Sequence, residues 1–212
     1  MSLTAQLKEK AALSANKIPE TIQKIMNNGI DNLRDSQLTA RALKTGDKIP
    51  EISLPNAANK TISIQELLLN KKVVLSFYRG GWCPYCNLEL RALQQYQDKF
   101  EELGATLVAI SPETPDNSLS TSEKNNLSFE VLSDIDNKVA NEFNLVFTLP
   151  KDLTEVYKGF GIDLVKSNGN EDQQLPIAAT YVIDQDGTII YDFIKEDYKE
   201  RADPEDIYNS LK

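Results

Sequence analysis

Val73-Val74-Leu75-Ser76-Phe77-Tyr78-Arg79-Gly80-Gly81-Trp82-Cys83-Pro84-Tyr85-Cys86 runs directly into the amphipathic stretch Asn87–Leu103. Its first six residues are β-branched, aromatic or apolar with only Ser76 intervening, as in a strand buried on both faces. Arg79-Gly80-Gly81 breaks that strand, because paired glycines permit a sharp change of direction. Pro84 suits the first turn of a helix, where its missing N–H costs nothing. Beyond it Leu88, Ala92, Tyr96 and Leu93, Phe100, Leu103 recur at helical spacing, with polar residues between. One long helix from Pro84 to Leu103 is expected. The only two cysteines of the chain therefore fall where a buried strand becomes a helix.

That junction alters thiol chemistry. Unpaired N–H groups and the helix dipole place about half a positive charge at the N-terminus, which favours thiolate over thiol. Cysteines so placed titrate between roughly 3.5 and 7.5 instead of near 8.5. The Cys-x-x-Cys spacing brings the two sulfurs within reach of a small disulfide ring, with Cys83 at the mouth of the turn and Cys86 deeper. Two other readings fit two cysteines. Tetrahedral zinc wants four ligands, and the chain has no histidine. Inert core thiols are common, but they do not account for the Gly-Gly-Trp turn and the proline between the cysteines. A redox pair is expected, with no metal and no cofactor.

The chain of 212 residues is 41% hydrophobic and 26% charged, the profile of a soluble globular domain. Its net charge of −9 disfavours nucleic acid and anionic membrane as partners. No apolar run is long enough to span a bilayer, and Met1–Lys8 lacks the apolar core of a secretory signal. A cytoplasmic protein is expected, in which a disulfide is transient and catalytic.

Residues 1–45 read as a helical N-terminal extension and 46–212 as the main domain. Up to Gly46 the chain carries seven basic and four acidic residues, whereas the remainder is strongly acidic. Leu3, Leu7, Ala11 and Ala12 predict one helix. Ile22, Ile25, Met26, Ile30 and Leu33 predict another, opened by Pro19 and ended or kinked at Asn27-Asn28-Gly29. The arm either packs on its own domain or docks on an acidic neighbouring subunit, as in a homodimer. Then come an edge hairpin near Ile52–Leu54 and Lys60–Ser63, a short helix, and a second buried strand at Thr106–Ile110. A helix over Ser118–Leu127, a strand at Glu130–Leu132 and a helix over Asn137–Phe143 follow. Asn144–Gln174 reads as an insertion holding one helix and a polar loop at Lys166–Asn170. Strand Ala179–Asp184, a tight turn, the returning strand Thr188–Phe193 and a helix Pro204–Leu211 capped by Asp203 close the chain.

This order of elements resembles the thioredoxin fold, and its details resemble the peroxiredoxins of the alkyl hydroperoxide reductase and thiol-specific antioxidant family. Gly46-Asp47-Lys48-Ile49-Pro50-Glu51-Ile52, Leu75-Ser76-Phe77-Tyr78 and Thr180–Ile189 carry the resemblance, together with Arg79–Cys86. It implies a thioredoxin-like three-layer α/β/α sandwich with a central mixed sheet and an N-terminal helical extension. It further implies a thiol-dependent peroxidase reducing hydrogen peroxide or organic hydroperoxides, recycled by thioredoxin, glutaredoxin or a similar dithiol. A protein disulfide reductase of thioredoxin type is the alternative, and a non-catalytic redox sensor or binding module a second.

Two departures bear on mechanism. Peroxiredoxins follow Phe-Tyr with Pro-x-x-x-Thr-x-x-Cys, which puts Arg79 at the proline, Cys83 at the threonine and Cys86 at the peroxidatic position. The thioredoxin pattern Trp-Cys-x-x-Cys nominates Cys83 instead. Three residues before Tyr181, where peroxiredoxins carry arginine and thioredoxins a cis-proline, this chain has Ala178. Pro176 supplies such a bend only with a shifted register. Arg79 is the nearest substitute cation and Arg201 a remoter one; a loop arginine paired with a surface carboxylate explains Arg79 equally well. Trp82 is expected to pack over the cysteine pair, and Tyr78 and Pro84 to support the turn.

Overall fold

The computed structural model describes residues 1–212. Helices α1 (Leu3–Ala15), α2 (Glu20–Asp35) and α3 (Leu38–Arg41) lead into a hairpin of β1 (Ser53–Pro55) and β2 (Thr61–Ser63). Next come α4 (Ile64–Leu68), β3 (Lys72–Phe77), α5 (Pro84–Gln94), α6 (Gln97–Glu102), β4 (Ala105–Ser111) and α7 (Pro115–Asn125). They are followed by β5 (Glu130–Ser133), α8 (Lys138–Glu142), β6 (Val146–Thr148), α9 (Lys151–Gly159) and α10 (Leu164–Asn168). The chain closes with β7 (Gln174–Pro176), β8 (Ala179–Ile183), β9 (Ile189–Ile194) and α11 (Pro204–Ser210).

Five strands form the central sheet in the order β5-β4-β3-β8-β9. β3 is parallel to β4 and antiparallel to β8, so the sheet is mixed. Alternation along β3 serves two cores. Val73, Leu75 and Phe77 point to one face with Ile110, Phe143 and Tyr181, while Val74 and Tyr78 point to the other with Leu90, Leu93 and Phe100. Helices cover both faces, which is why β3 reads as a nearly continuous apolar run, broken only by Ser76 after Lys72, and not as an alternation. The thioredoxin-like three-layer sandwich is the observed architecture.

The arm packs on its own chain. Leu3 and Leu7 of α1 are buried with the α5 core, and Ile22, Ile25 and Met26 of α2 lie against Leu153, Val156 and Tyr157 of α9. Asn27-Asn28-Gly29 neither ends nor kinks α2. A Cβ on Gly29 would meet Leu153 Cδ2 at 3.0 Å, so this glycine permits close helix approach. The single helix expected over 84–103 is two, separated at Gln95-Tyr96, where the Tyr96 hydroxyl donates to Glu205 at 2.6 Å. The polar loop expected at 166–170 is largely α10, capped by Asp163 and ended by Gly169 at φ 75°. Pro176 lies in β7 opposite Val146, and every peptide bond is trans, so it makes no cis bend. No helix is long and apolar enough to cross a membrane.

Candidate active site

The turn between β3 and α5 is tied from several directions. Tyr78 N–H donates to the Ile110 carbonyl at 2.9 Å, extending the β3–β4 ladder by one residue. Gly80 then adopts φ +147°, and a Cβ there would lie 2.3 Å from Trp82 Nε1. At Gly81 a Cβ would stand 1.9 Å from Thr121 Oγ1, so α7 comes against bare backbone. Gly81 N–H donates to Glu113 Oε2 at 2.9 Å. The Asn87 side-chain amide donates to the carbonyls of Gly81 (2.8 Å) and Cys83 (3.0 Å), and its oxygen accepts from Asn125 at 2.7 Å. Burial pushes the Glu113 carboxyl up to about 7, against the Gly81 hydrogen bond.

Cys83 is the N-cap of α5, with Pro84 as first helical residue and exposed. Both cysteines are free thiols. Cys83 is not the exposed sulfur that its place at the turn suggested: it is 2% accessible and Cys86 0%. The two differ electrostatically. A hydrogen bond from Cys86 favours the Cys83 thiolate and outweighs its burial; the charges of Arg79 and Arg201 add to it, bringing the thiol down to about 6. Burial pushes Cys86 well above the ordinary thiol range, assisted by the Cys83 charge. The helix thus presents an acidic sulfur first and a proton-retaining sulfur one turn later.

Two buried arginines flank the pair. Arg79 donates to the Tyr157 hydroxyl, and its guanidinium sits 4.9 Å from the ring centre of Tyr198, 5.3 Å from Trp82 and 5.5 Å from Tyr157. Burial opposes its charge, yet Tyr157 and the two thiols hold it cationic. It pairs with no carboxylate. Arg201 is not remote: the segment after β9 folds back so that Nη2 lies 3.5 Å from Cys86 Sγ and Nε donates to Glu89 at 2.7 Å. Arg201 and Glu89 side chains are both 1% exposed. Burial raises the Glu89 carboxyl to about 7 against the pull of Arg201, and its Oε1 has no partner.

The structure thus brings together Cys83, Cys86, Arg79 and Trp82, with Tyr78 fully buried behind them and held neutral by burial. Trp82 packs on Tyr157 (ring centres 5.6 Å) and lines the cavity that reaches Cys83. Pro176 and Ala178 line a different cavity of about 200 Å³, reached by Arg79, Tyr157 and Tyr198 but not by either cysteine. Sequence reasoning missed Glu89, Glu113, Tyr157 and Tyr198. Glu89 carried a usable signal, since three residues after Cys86 on a helix is the same face.

A free cysteine pair at a strand-to-helix junction, in a mixed sheet of this order, defines a thiol oxidoreductase of the thioredoxin fold. The chain belongs to the AhpC/TSA family, which matches residues 45–192. It is 26% identical over 160 residues to Peroxiredoxin Bcp of Bacillus subtilis (strain 168), covering 76% of this chain and 90% of that one. It is 32% identical over 103 residues to a putative peroxiredoxin bcp of Buchnera aphidicola, covering 49% and 65%. Peroxidoxin BcpB from Mycobacterium tuberculosis superposes with a TM-score of 0.63 at 22% identity, over 80% of this chain and 96% of that one. A cysteine-to-serine mutant of Peroxiredoxin 6 of Arenicola marina gives 0.64 at 15% identity, over 80% and 72%.

Proposed function

We propose that the thiol-dependent peroxidase activity of this chain runs through Cys83 as attacking sulfur and Cys86 as resolving sulfur. The carrying observation is the opposite displacement of the two thiols, Cys83 down to about 6 and Cys86 up, with Cys83 and not Cys86 lining the cavity beside Trp82. Cys83 thiolate attacks the distal peroxide oxygen; an S–O bond forms, the O–O bond breaks, and the departing alkoxide or hydroxide takes the Cys86 proton. Cys86 thiolate then attacks the Cys83 sulfur, closing the disulfide and releasing hydroxide, which solvent protonates. Arg79 and Arg201 hold the charge that moves between the sulfurs and the leaving oxygen.

Burial of Cys83 speaks against a protein disulfide as first substrate, because a peroxide enters a cavity that a folded protein does not. Recycling by a thioredoxin- or glutaredoxin-like dithiol then requires the first turn of α5 to open, and the cytosol supplies such reductants. One observation favours the reverse order, in which Cys86 attacks: Arg201 Nη2 stands 3.5 Å from its sulfur. Single-turnover trapping of sulfenic acid separates the two. Cys86→Ser should form it and Cys83→Ser should not; the opposite pattern overturns the assignment. The wild-type mass should fall by two protons after one equivalent of peroxide. Peroxide consumption coupled to thioredoxin and its reductase tests the activity, and insulin reduction without peroxide consumption would replace it with disulfide exchange.

A further inference from the structure

Arg79 stands between two cavities. One reaches Cys83; the other, of about 200 Å³, reaches neither cysteine. Ile30 and Leu33 of α2 line this second cavity, together with Phe147 of β6, Leu153 of α9 and Ile177 after β7. α2 lies outside the span 45–192 that matches the family, so the shared domain alone does not form this cavity.

The Arg79 guanidinium is short of acceptors there. A guanidinium carries five N–H donors, and this one is 3% exposed. Of its three side-chain nitrogens only Nη2 has a partner, the Tyr157 hydroxyl, and Nε has none. The rings of Trp82, Tyr157 and Tyr198 stabilise the charge but supply no further oxygen to the remaining donors. A buried cation with donors left over calls for an acceptor that the chain does not provide. Ala178, which lines the same cavity, carries an N–H that donates to no acceptor of the chain either. Lys195 adds a second, exposed positive charge, and the one carboxylate on the wall, Glu196, accepts from the hydroxyl of Thr39, which does not line the cavity.

Apolar walls around an underused guanidinium and an unpaired N–H are complementary to a small acid with an apolar body. A planar carboxylate takes two parallel N–H bonds from a guanidinium. The cavity is about seven times a water molecule's share of liquid volume, which a body of about five carbons fills. We propose that this second cavity is an effector site for a short branched monocarboxylate, which binds Arg79 from the side that does not reach the cysteines and draws its charge away from Cys83.

The two anions compete for one cation. The Arg79 charge is among those that favour the Cys83 thiolate, and the thiolate in turn helps to hold Arg79 cationic. A bound carboxylate therefore raises the Cys83 titration midpoint. By reciprocity, loss of the thiolate through protonation or disulfide closure tightens the carboxylate. A slower peroxide step while the acid is bound rests on the peroxidase reading above; binding and its coupling to the thiolate do not.

Calorimetric titration of the full chain with 3-methylbutanoate at pH 7.5 should saturate, the disulfide form binding about tenfold more tightly than the reduced form. Saturating acid should move the midpoint of Cys83 thiolate absorbance upward by about one pH unit. 3-Methylbutanamide should bind several-fold more weakly than the acid, and 3-methylbutylammonium should give no saturable heat. Arg79→Met should lose the binding. Asn32→Glu, at an exposed position lining this cavity, keeps the test open if that variant does not fold, and should weaken the acid several-fold while leaving the amide within about twofold. Lys17→Glu, exposed on the cavity that reaches Cys83, should leave the acid within about twofold. Absence of saturation in both redox forms, equal affinity of the two forms, or equal binding of acid and amide overturns the proposal. Loss of affinity in Lys17→Glu with none in Asn32→Glu puts the acid in the other cavity and overturns it as well. Hydrogen peroxide consumption tests the peroxidase reading separately: its absence with the coupling intact strikes that reading and supports the effector site.

Discussion

Replacing Cys86 by alanine takes away the hydrogen bond that contributes most to the acidity of Cys83, and leaves Arg79 and Arg201 in place. The displacement from 9.0 to about 6 corresponds to about 4 kcal/mol of preference for thiolate, at about 1.4 kcal/mol per pH unit. Full loss would take the thiolate fraction at pH 7 from about nine-tenths to about one-hundredth. Intrinsic nucleophilicity would rise in compensation by about 15- to 30-fold, from a Brønsted slope of about 0.4–0.5. The net rate at pH 7 should therefore fall only about three- to sixfold, and the titration itself is the sharper readout. Thiolate absorbance against pH should show a midpoint near 6 in Cys86→Ser, which keeps a hydroxyl donor, and a midpoint moved upward in Cys86→Ala. Stopped-flow peroxide reaction of the alanine variant should rise with pH through that higher midpoint. If both variants titrate near 6, the hydrogen bond is not the cause and the arginines are. If both lose all single-turnover reaction with peroxide, Cys86 is the attacking sulfur and the assignment of roles is wrong.

Arg201→Met leaves Glu89 buried without its partner, which should cost about 3–5 kcal/mol by urea unfolding at pH 8. The loss should shrink at pH 5, where Glu89 takes up a proton, and Glu89→Gln combined with Arg201→Met should recover much of it. Glu89 and Glu113 both titrate near 7 in the folded chain, above their unfolded value. Their contribution to stability is complete below about pH 4.5 and is lost as pH rises through 7. Thermal unfolding should accordingly show Tm falling between about pH 4.5 and 7 and levelling off above, and Glu113→Gln should flatten that fall. Gly81→Ala drives a methyl into Thr121 and should cost about 1–3 kcal/mol, partly restored by Thr121→Ala; an unchanged midpoint in the single variant would show that α7 yields. Arg79→Met should raise the Cys83 midpoint and slow the peroxide step by about 100-fold or more, read by the same absorbance and stopped-flow assays.

The elements whose reasons are local were legible in the sequence. Four of residues 73–77 are apolar, Ser76 being the exception, because strands flank β3 on both sides and helices cover both faces, and Pro84 opens α5 because an N–H there would be orphaned anyway. β4 and β8 follow from continuous buried runs, and the hairpin near 52–63, β9 and the Asp203 cap from short extended runs and turn chemistry. What was misread depends on partners distant in the chain. Gly29 punctuates a sequence but in the fold spaces α2 from Leu153. The break at Tyr96 accompanies a contact with Glu205, more than a hundred residues later. In the stretch 144–174 the helix was legible, but β6 and β7 were not, because these short strands pair with each other across two helices. At the site, both cysteines, Arg79 and Trp82 could be nominated from spacing. Their exposure could not, because the groups that enclose Cys83 come from distant segments: Tyr157 from the stretch read as an insertion, the arm from the extension, and Tyr198 from the link after β9.

The empty arginine position shows why a motif is a weaker guide than the charge it delivers. Ala178 stands where the related pattern carries a cation, immediately before β8, and is 4% exposed. β9 runs antiparallel to β8, with Ile194 opposite Ala179, so the chain leaving β9 emerges beside that vacancy. Seven residues after Ile194, Arg201 has turned back to Cys86, fixed by Glu89 and by the carbonyls of Tyr198 and Glu200. A guanidinium can therefore reach the same sulfur from the neighbouring strand, at the cost of burying a carboxylate to hold it. Arg79 then answers a separate need. Ringed by Trp82, Tyr157 and Tyr198, it faces the cavity and not Glu89, so its charge remains available at the sulfur that lines the cavity. One cation sits by the buried thiol and one by the entrance, which is the arrangement required when negative charge passes from Cys83 to the leaving oxygen and then to Cys86.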